Sequence, residues 1–262
     1  MTPRLGLILA GLAAGCATPP VDSPSPDGEE EVLRDYVSLG DSYASGTGTR
    51  DYYDAGCQRS NHAYAHQLTA AKGLNLSHAA CSGARIPDVR AKQLGALSAE
   101  TDLVTISIGG NDAGFGRVIG ECAKPLVTCT PDIESARGFI NDTLPGQLDA
   151  LYTEIETLAP KAGVIVIGYP RLFNGEECNL GARISSDEQR DLNGVADLLA
   201  GKLSGAAAAH GFDFIDTREP FNAHRICDDV EWLNGLSNPT GESYHPNQLG
   251  HDAFTALISA VL

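Results

Sequence analysis

Five short apolar, β-branched runs, at residues 36–39, 74–79, 103–108, 164–167 and 212–215, recur along this chain, and the stretches between them are mostly helical in pattern. This alternation constrains the fold more than any other feature, because strands and helices that take turns assemble into a parallel sheet covered by helices. A run such as Val164-Ile165-Val166-Ile167 has no polar alternation, which suits a strand buried on both faces. Right-handed crossovers then give a doubly wound α/β sheet, expected in the strand order 2-1-3-4-5, with the chemistry at the C-terminal ends of the strands. Long helices are expected at 61–72, at 131–158 with an interruption or kink at Pro145, at 186–210 and at 247–262, the last opened by Pro246-Asn247.

The 262 residues and 42% hydrophobic composition fit one domain, expected over 32–262. Ahead of it, Arg4 precedes an apolar run over 5–14, which falls short of the ~20 residues of a membrane span and suits the core of a signal peptide over 1–15. Ala13-Ala14-Gly15-Cys16 resembles a bacterial lipobox, in which Cys16 is lipidated and becomes the mature N-terminus, with the usual leucine displaced to Leu12. Cleavage after Ala17 is the alternative, and it releases a soluble protein. Residues 16–31, rich in Pro, Ser and acids, read as a disordered tether. The expected location is outside the cell membrane, anchored to the envelope by lipid. With 18 Lys+Arg against 34 Asp+Glu, a net charge of −16, the chain offers no basic stripe for a phosphate backbone, so nucleic acid is excluded as a partner.

Setting Cys16 aside leaves six of the seven cysteines, which in an exported chain read as three disulfides. In the expected strand order, Cys57 and Cys81 follow neighbouring strands 1 and 2, and Cys178 and Cys227 follow neighbouring strands 4 and 5. Cys122 and Cys129 are left to close a short loop around Pro125. No Cys-x-x-Cys or paired Cys/His spacing suggests zinc, and His62 and His66, one helical turn apart without a third ligand, read as solvent-facing.

The loops at the strand ends carry the chemistry. Strand 1 runs into Gly40-Asp41-Ser42, strand 2 into Cys81-Ser82-Gly83, and strand 3 into Gly109-Gly110-Asn111-Asp112, while Ser243-Tyr244-His245-Pro246-Asn247 precedes the last helix. A serine, an imidazole, a side-chain amide and backbone N–H groups on one sheet edge are the minimum set for acyl transfer. A phosphate-binding reading of Thr47-Gly48-Thr49 lacks the P-loop lysine, and no G-x-S-x-G elbow is present. Asp41 and Asp112 read as loop braces, Trp232 as packing, and His78, His210, His224 and His251 as structural or exposed.

These four blocks, in order and spread over 36–251, resemble the SGNH or GDSL hydrolase family. Gly114-Phe115, the run from Gly168 to Phe173 and the pairing of His245-Pro246-Asn247 with Gly250-His251 are similar to its secreted actinobacterial lipases, esterases and phospholipases. The resemblance implies a flavodoxin-like three-layer α/β/α fold with a five-stranded parallel sheet, no metal and no organic cofactor. It implies Ser42 as nucleophile, His245 as base, and an oxyanion hole of the Ser42 and Gly83 N–H groups with the Asn111 side chain. The family often has an Asp three residues before its histidine; here that position is Glu242, expected as the acid that orients His245, and a main-chain carbonyl serves in other members. The implied function is a serine ester hydrolase on lipid or acyl esters, acting as a monomer. The alternatives are an O-acetyl esterase on wall or plant polysaccharide, and a catalytically silent binding lipoprotein. Phe115, Leu172 and Phe173, if they line the pocket, favour an acyl chain, and 6% aromatic content offers no sugar-stacking platform.

Overall fold

A computed structural model describes residue 1 and residues 34–124, 127–178, 181 and 184–262. The leader over 1–15, the tether over 16–31, Cys16 and Pro125 were assigned from sequence and, apart from residue 1, lie outside the described residues.

The chain opens with strand β1 (Arg34–Gly40), the short helix α1 (Ser42–Ser45) and a small hairpin of β2 (Tyr52–Asp54) and β3 (Arg59–Ser60). It continues through α2 (Tyr64–Lys72), β4 (Leu74–His78), α3 (Ile86–Lys92), β5 (Leu103–Ser107) and α4 (Phe115–Cys122). Then follow α5 (Thr130–Asp142), α6 (Leu144–Leu158), β6 (Gly163–Ile167), α7 (Ser186–Ala209), β7 (Asp213–Ile215) and α8 (Gln248–Ser259). The five expected strands are all present, and they pair in parallel in the order β4-β1-β5-β6-β7, which is the expected 2-1-3-4-5.

All of β5 is buried, as is β6 from Val164 onward; β6 is apolar there, β5 is apolar but for Thr105 and Ser107, and edge strand β4 alternates buried and exposed positions. α2 packs on α8, and α5, α6 and α7 pack on one another, so that helices flank the sheet. The expected 131–158 helix is two helices, broken at Thr143, with Pro145 in the first turn of α6. A proline there interrupts no hydrogen bond, because the first-turn N–H groups of a helix have no partner within it. The hairpin and the short helices α1, α3 and α4 had no counterpart in the expected elements.

The sheet reverses its order at β1, which has β4 on one side and β5 on the other. A crevice opens beyond the strand ends at such a reversal. β1 stops there in tight quarters. Gly40 sits opposite Ser107 at φ +125°, and a Cβ on it would lie 2.2 Å from the Ser107 carbonyl oxygen. The buried Gln93 amide closes on the same residue, accepting the Gly40 N–H at 2.8 Å and donating to its carbonyl at 2.9 Å. Gly40→Ala meets both an unfavourable φ and a backbone clash. It is expected to cost roughly 2–4 kcal/mol and to lower Tm by about 5–15 °C. Thermal unfolding measures this, and a Tm within about 2 °C of wild type would show that the strand end can open.

Candidate active site

Two residues past that strand end stands Ser42. Asp41 caps α1, its carboxylate accepting the Tyr43 N–H at 3.0 Å and the Tyr169 hydroxyl at 2.6 Å. Ser42 is the first residue of the helix, a position whose N–H has no intrahelical acceptor and points outward. Asp41 is 1% exposed, and burial lifts its carboxyl to about 7 despite the two donors.

The Ser42 Oγ lies 2.8 Å from His245 Nε2, although 203 residues separate them in sequence. His245 Nδ1 lies 2.9 Å from the Ser243 carbonyl oxygen. A carbonyl only accepts, so the Nδ1 carries the proton and the Nε2 lone pair faces the serine hydroxyl. Burial holds the imidazole down at about 4, against support from the Ser243 carbonyl and the Glu242 charge.

Glu242 does not occupy the place expected of it. Its carboxylate turns away from the imidazole, accepting Arg50 Nε at 2.6 Å and the Tyr52 hydroxyl at 2.9 Å, and the residue is 2% exposed. Glu242 closes the 3-10 turn Thr240–Glu242, and the main chain of Ser243 reaches the imidazole first. The acid anchors the histidine loop to the hairpin region, and a carbonyl orients the ring.

Asn111 lines the cavity beside Ser42 and donates through Nδ2 to the Ala84 carbonyl at 3.0 Å. That bond ties it to the turn that holds Gly83, which has φ +79° and is closed by the Ala84 N–H on the Cys81 carbonyl. Gly83 itself is outside the cavity wall. Asp112 accepts the Ile86 N–H and so braces the adjoining loop. The cavity measures about 370 Å³, with Ser42, Asn111 and His245 at one end and Phe115, Ile119, Leu172, Leu199 and Leu236 among its apolar walls. Phe173 is elsewhere, buried and packed against Tyr244.

The disulfides are Cys57–Cys81, Cys122–Cys129 and Cys178–Cys227. The first pins the loop that leads to Gly83, and the second joins the end of α4 to the start of α5. His62 and His66 are partly buried rather than solvent-facing: His62 pairs with Asp252, and His66 packs on Tyr53 and His78. His251 is fully buried between Tyr64 and Phe254, and Trp232 packs on Phe221 and His224. Three residues that build the site were not singled out from sequence: Gln93 stood in no motif, while Tyr43 followed Ser42 and Tyr169 stood in the run from Gly168 to Phe173 without a role assigned to either.

A five-stranded parallel sheet of flavodoxin-like order, whose switch point presents a serine paired with an imidazole above an apolar cavity, is the architecture of an ester hydrolase. The sequence matches the GDSL-like Lipase/Acylhydrolase family over residues 38–253, and the chain belongs to that family. It is 42% identical over 252 residues to Lipase 1 of Streptomyces coelicolor, covering 93% of this chain and 91% of that protein. The crystal structure of the extracellular lipase of Streptomyces rimosus superposes with a TM-score of 0.83 at 39% identity, covering 88% of this chain and 100% of that one. Phospholipase A1 of Streptomyces albidoflavus superposes with a TM-score of 0.82 at 37% identity, covering 87% and 99%. The chain is thus a GDSL-type carboxylic ester hydrolase, similar to the actinobacterial lipases.

Glu242→Gln keeps an acceptor for Tyr52 and removes only the charge facing Arg50. Ester hydrolysis is expected to stay within about tenfold of wild type, while stability falls by roughly 1–2 kcal/mol. Steady-state kinetics and thermal melts on the same sample test the pair of outcomes; a loss near 10⁴-fold in kcat would return the carboxylate to the imidazole.

Proposed function

We propose that the chain cleaves lipid or acyl carboxylic esters through an acyl-enzyme on Ser42. The observation that carries the reading is the 2.8 Å contact from Ser42 Oγ to His245 Nε2, with Nδ1 held by a backbone carbonyl. Ser42 Oγ bonds to the ester carbon as its proton passes to Nε2. The negative charge that develops on the carbonyl oxygen meets the N–H groups of Ser42 and Gly83 and the Asn111 amide. Collapse breaks the bond to the alcohol, which leaves with the proton from Nε2. Water then repeats the sequence on the acyl-enzyme, giving up a proton to His245 and releasing the acid and Ser42.

The apolar walls of the cavity support an acyl chain longer than acetate as its occupant. The names of the similar proteins, lipase and phospholipase A1, point to the same substrate class. Export is consistent with the three disulfides. In this proposal residues 1–15 are the export signal, residues 16–31 are the tether, and Cys16 carries a lipid; mass spectrometry of the mature N-terminus reads the last point directly. The catalytic unit acts as a monomer.

Three outcomes test the reading. A fluorophosphonate should label wild type at Ser42, and Ser42→Ala and His245→Ala should each lose at least about 10³-fold in kcat/KM; a folded, unlabelled wild type would leave only a binding role. Across p-nitrophenyl esters from acetate to palmitate, short to medium chains are expected to be preferred, and inertness toward all but acetylated glycans would turn the assignment to an O-acetyl esterase. Because only the neutral imidazole accepts a proton, and burial holds it at about 4, kcat/KM should rise with pH through about 4 and be level by pH 6. An acid limb centred on 6.5 would show that the imidazole is not desolvated.

A further inference from the structure

Beyond the groups that meet the ester, one side chain bridges the two halves of the site. Tyr43, the residue after Ser42, donates its hydroxyl to the main-chain carbonyl of Tyr244 at 2.8 Å, and Tyr244 is the residue before His245. The bond spans 201 residues of sequence and ties the neighbour of the nucleophile to the neighbour of the base. The Tyr43 ring stands 5.6 Å from the His245 ring and meets Tyr169 edge-on at 5.0 Å, so its place is set on two sides. The peptide it holds is unusual. Tyr244 has φ +63°, the left-handed region that a bulky non-glycine residue enters only when its surroundings impose it. The other side of the loop is fastened by Asn234, which accepts the Tyr244 N–H and donates its own N–H to the His245 carbonyl. The Tyr244 carbonyl is left to the Tyr43 hydroxyl.

We infer that Tyr43 is a positioning residue for the hydrolysis, its hydroxyl keeping the Tyr244 peptide in the left-handed conformation that presents His245 Nε2 to Ser42. This rests on the Ser42–His245 mechanism proposed above. It touches no reacting atom and acts through the backbone. A displacement of the imidazole by about 1 Å is enough to cost about 10²-fold in rate, so loss of the hydroxyl should appear in kcat rather than in KM.

The test is a double-mutant cycle on the full chain with a soluble p-nitrophenyl ester. Tyr43→Phe is expected to lower kcat by about 10- to 100-fold with KM within about threefold, and to slow fluorophosphonate labelling in parallel. Tyr244→Gly frees the left-handed conformation of its need for support, since glycine adopts it without a Cβ clash. In that background Tyr43→Phe should cost less than about threefold. An unchanged kcat in Tyr43→Phe, or the same penalty with Tyr244 and with Tyr244→Gly, overturns the inference, because a hydroxyl that only fills space would not couple to the φ of Tyr244. If Tyr43→Phe alone does not fold, the double variant compared with Tyr244→Gly decides on the same threshold. Absence of labelling in wild type would instead overturn the mechanism itself, so the two failures are distinguishable.

Discussion

The Gly40 peptide at the end of β1 is held on one face by the backbone of Ser107 and on the other by the amide of Gln93, with no space for a side chain between them. β1 is also paired to β4 over Arg34–Ser38 and to β5 over Tyr36–Gly40, so its end is held by the sheet as well. The two residues that follow inherit that position. Asp41 N–H bonds the Ser107 carbonyl, Asp41 caps α1, and Ser42 is delivered at the sheet edge with its own N–H facing outward. A site built on a strand end held in this way needs little ordering when substrate arrives, which is what the proposed stabilisation of an oxyanion requires.

The histidine comes from the opposite end of the chain and has no strand to hold it. Its segment pairs briefly and antiparallel with residues 232–234 through backbone hydrogen bonds, and part-buried side-chain contacts add to that pairing. Glu242 joins Arg50 and Tyr52, Asn234 bonds Gly48 and Glu242 through its amide, and Tyr52 accepts the Gly48 N–H. Arg50, Tyr52 and Gly48 lie in the stretch just after α1, so the loop of His245 is fastened to the loop that follows Ser42. His78, whose imidazole burial holds down at about 4, adds a contact to the Ala44 carbonyl at the far end of α1. Such a network is unforgiving, since a buried group that loses its partner keeps its desolvation cost.

Much of this was readable before the coordinates. The central strands are legible because they are buried on both faces and carry short apolar, β-branched runs, and the expected order is that of a doubly wound sheet with its switch point at the first strand. Ser42, Asn111 and His245 are legible because reactive groups at strand ends have few other reasons to cluster. The hairpin of β2 and β3 was not, since Tyr52–Asp54 and Arg59–Ser60 are too short to carry a period. Gln93 was invisible because a glutamine near a helix end is usually solvated, and only tertiary structure brings it to Gly40. Glu242 was misplaced for a related reason. Spacing locates a residue along the chain, whereas the direction of a carboxylate depends on which cation and hydroxyl the fold brings near, here Arg50 and Tyr52.

The displaced acid still bears on the chemistry of the proposed mechanism. A buried imidazole is a poor resting place for a proton, so the ring is neutral and ready to accept one, but the imidazolium formed at the transition state is penalised by the same burial. The Ser243 carbonyl offsets part of that cost at 2.9 Å, and the Glu242 backbone and then its charge offset a further part. The effect of that charge is the smallest of these, and Arg50 beside it diminishes the field. A carboxylate in direct contact would stabilise the imidazolium more and would also raise the resting basicity of the ring. The arrangement here separates the two jobs, the backbone fixing tautomer and direction while the acid fixes the loop and supplies a residual field.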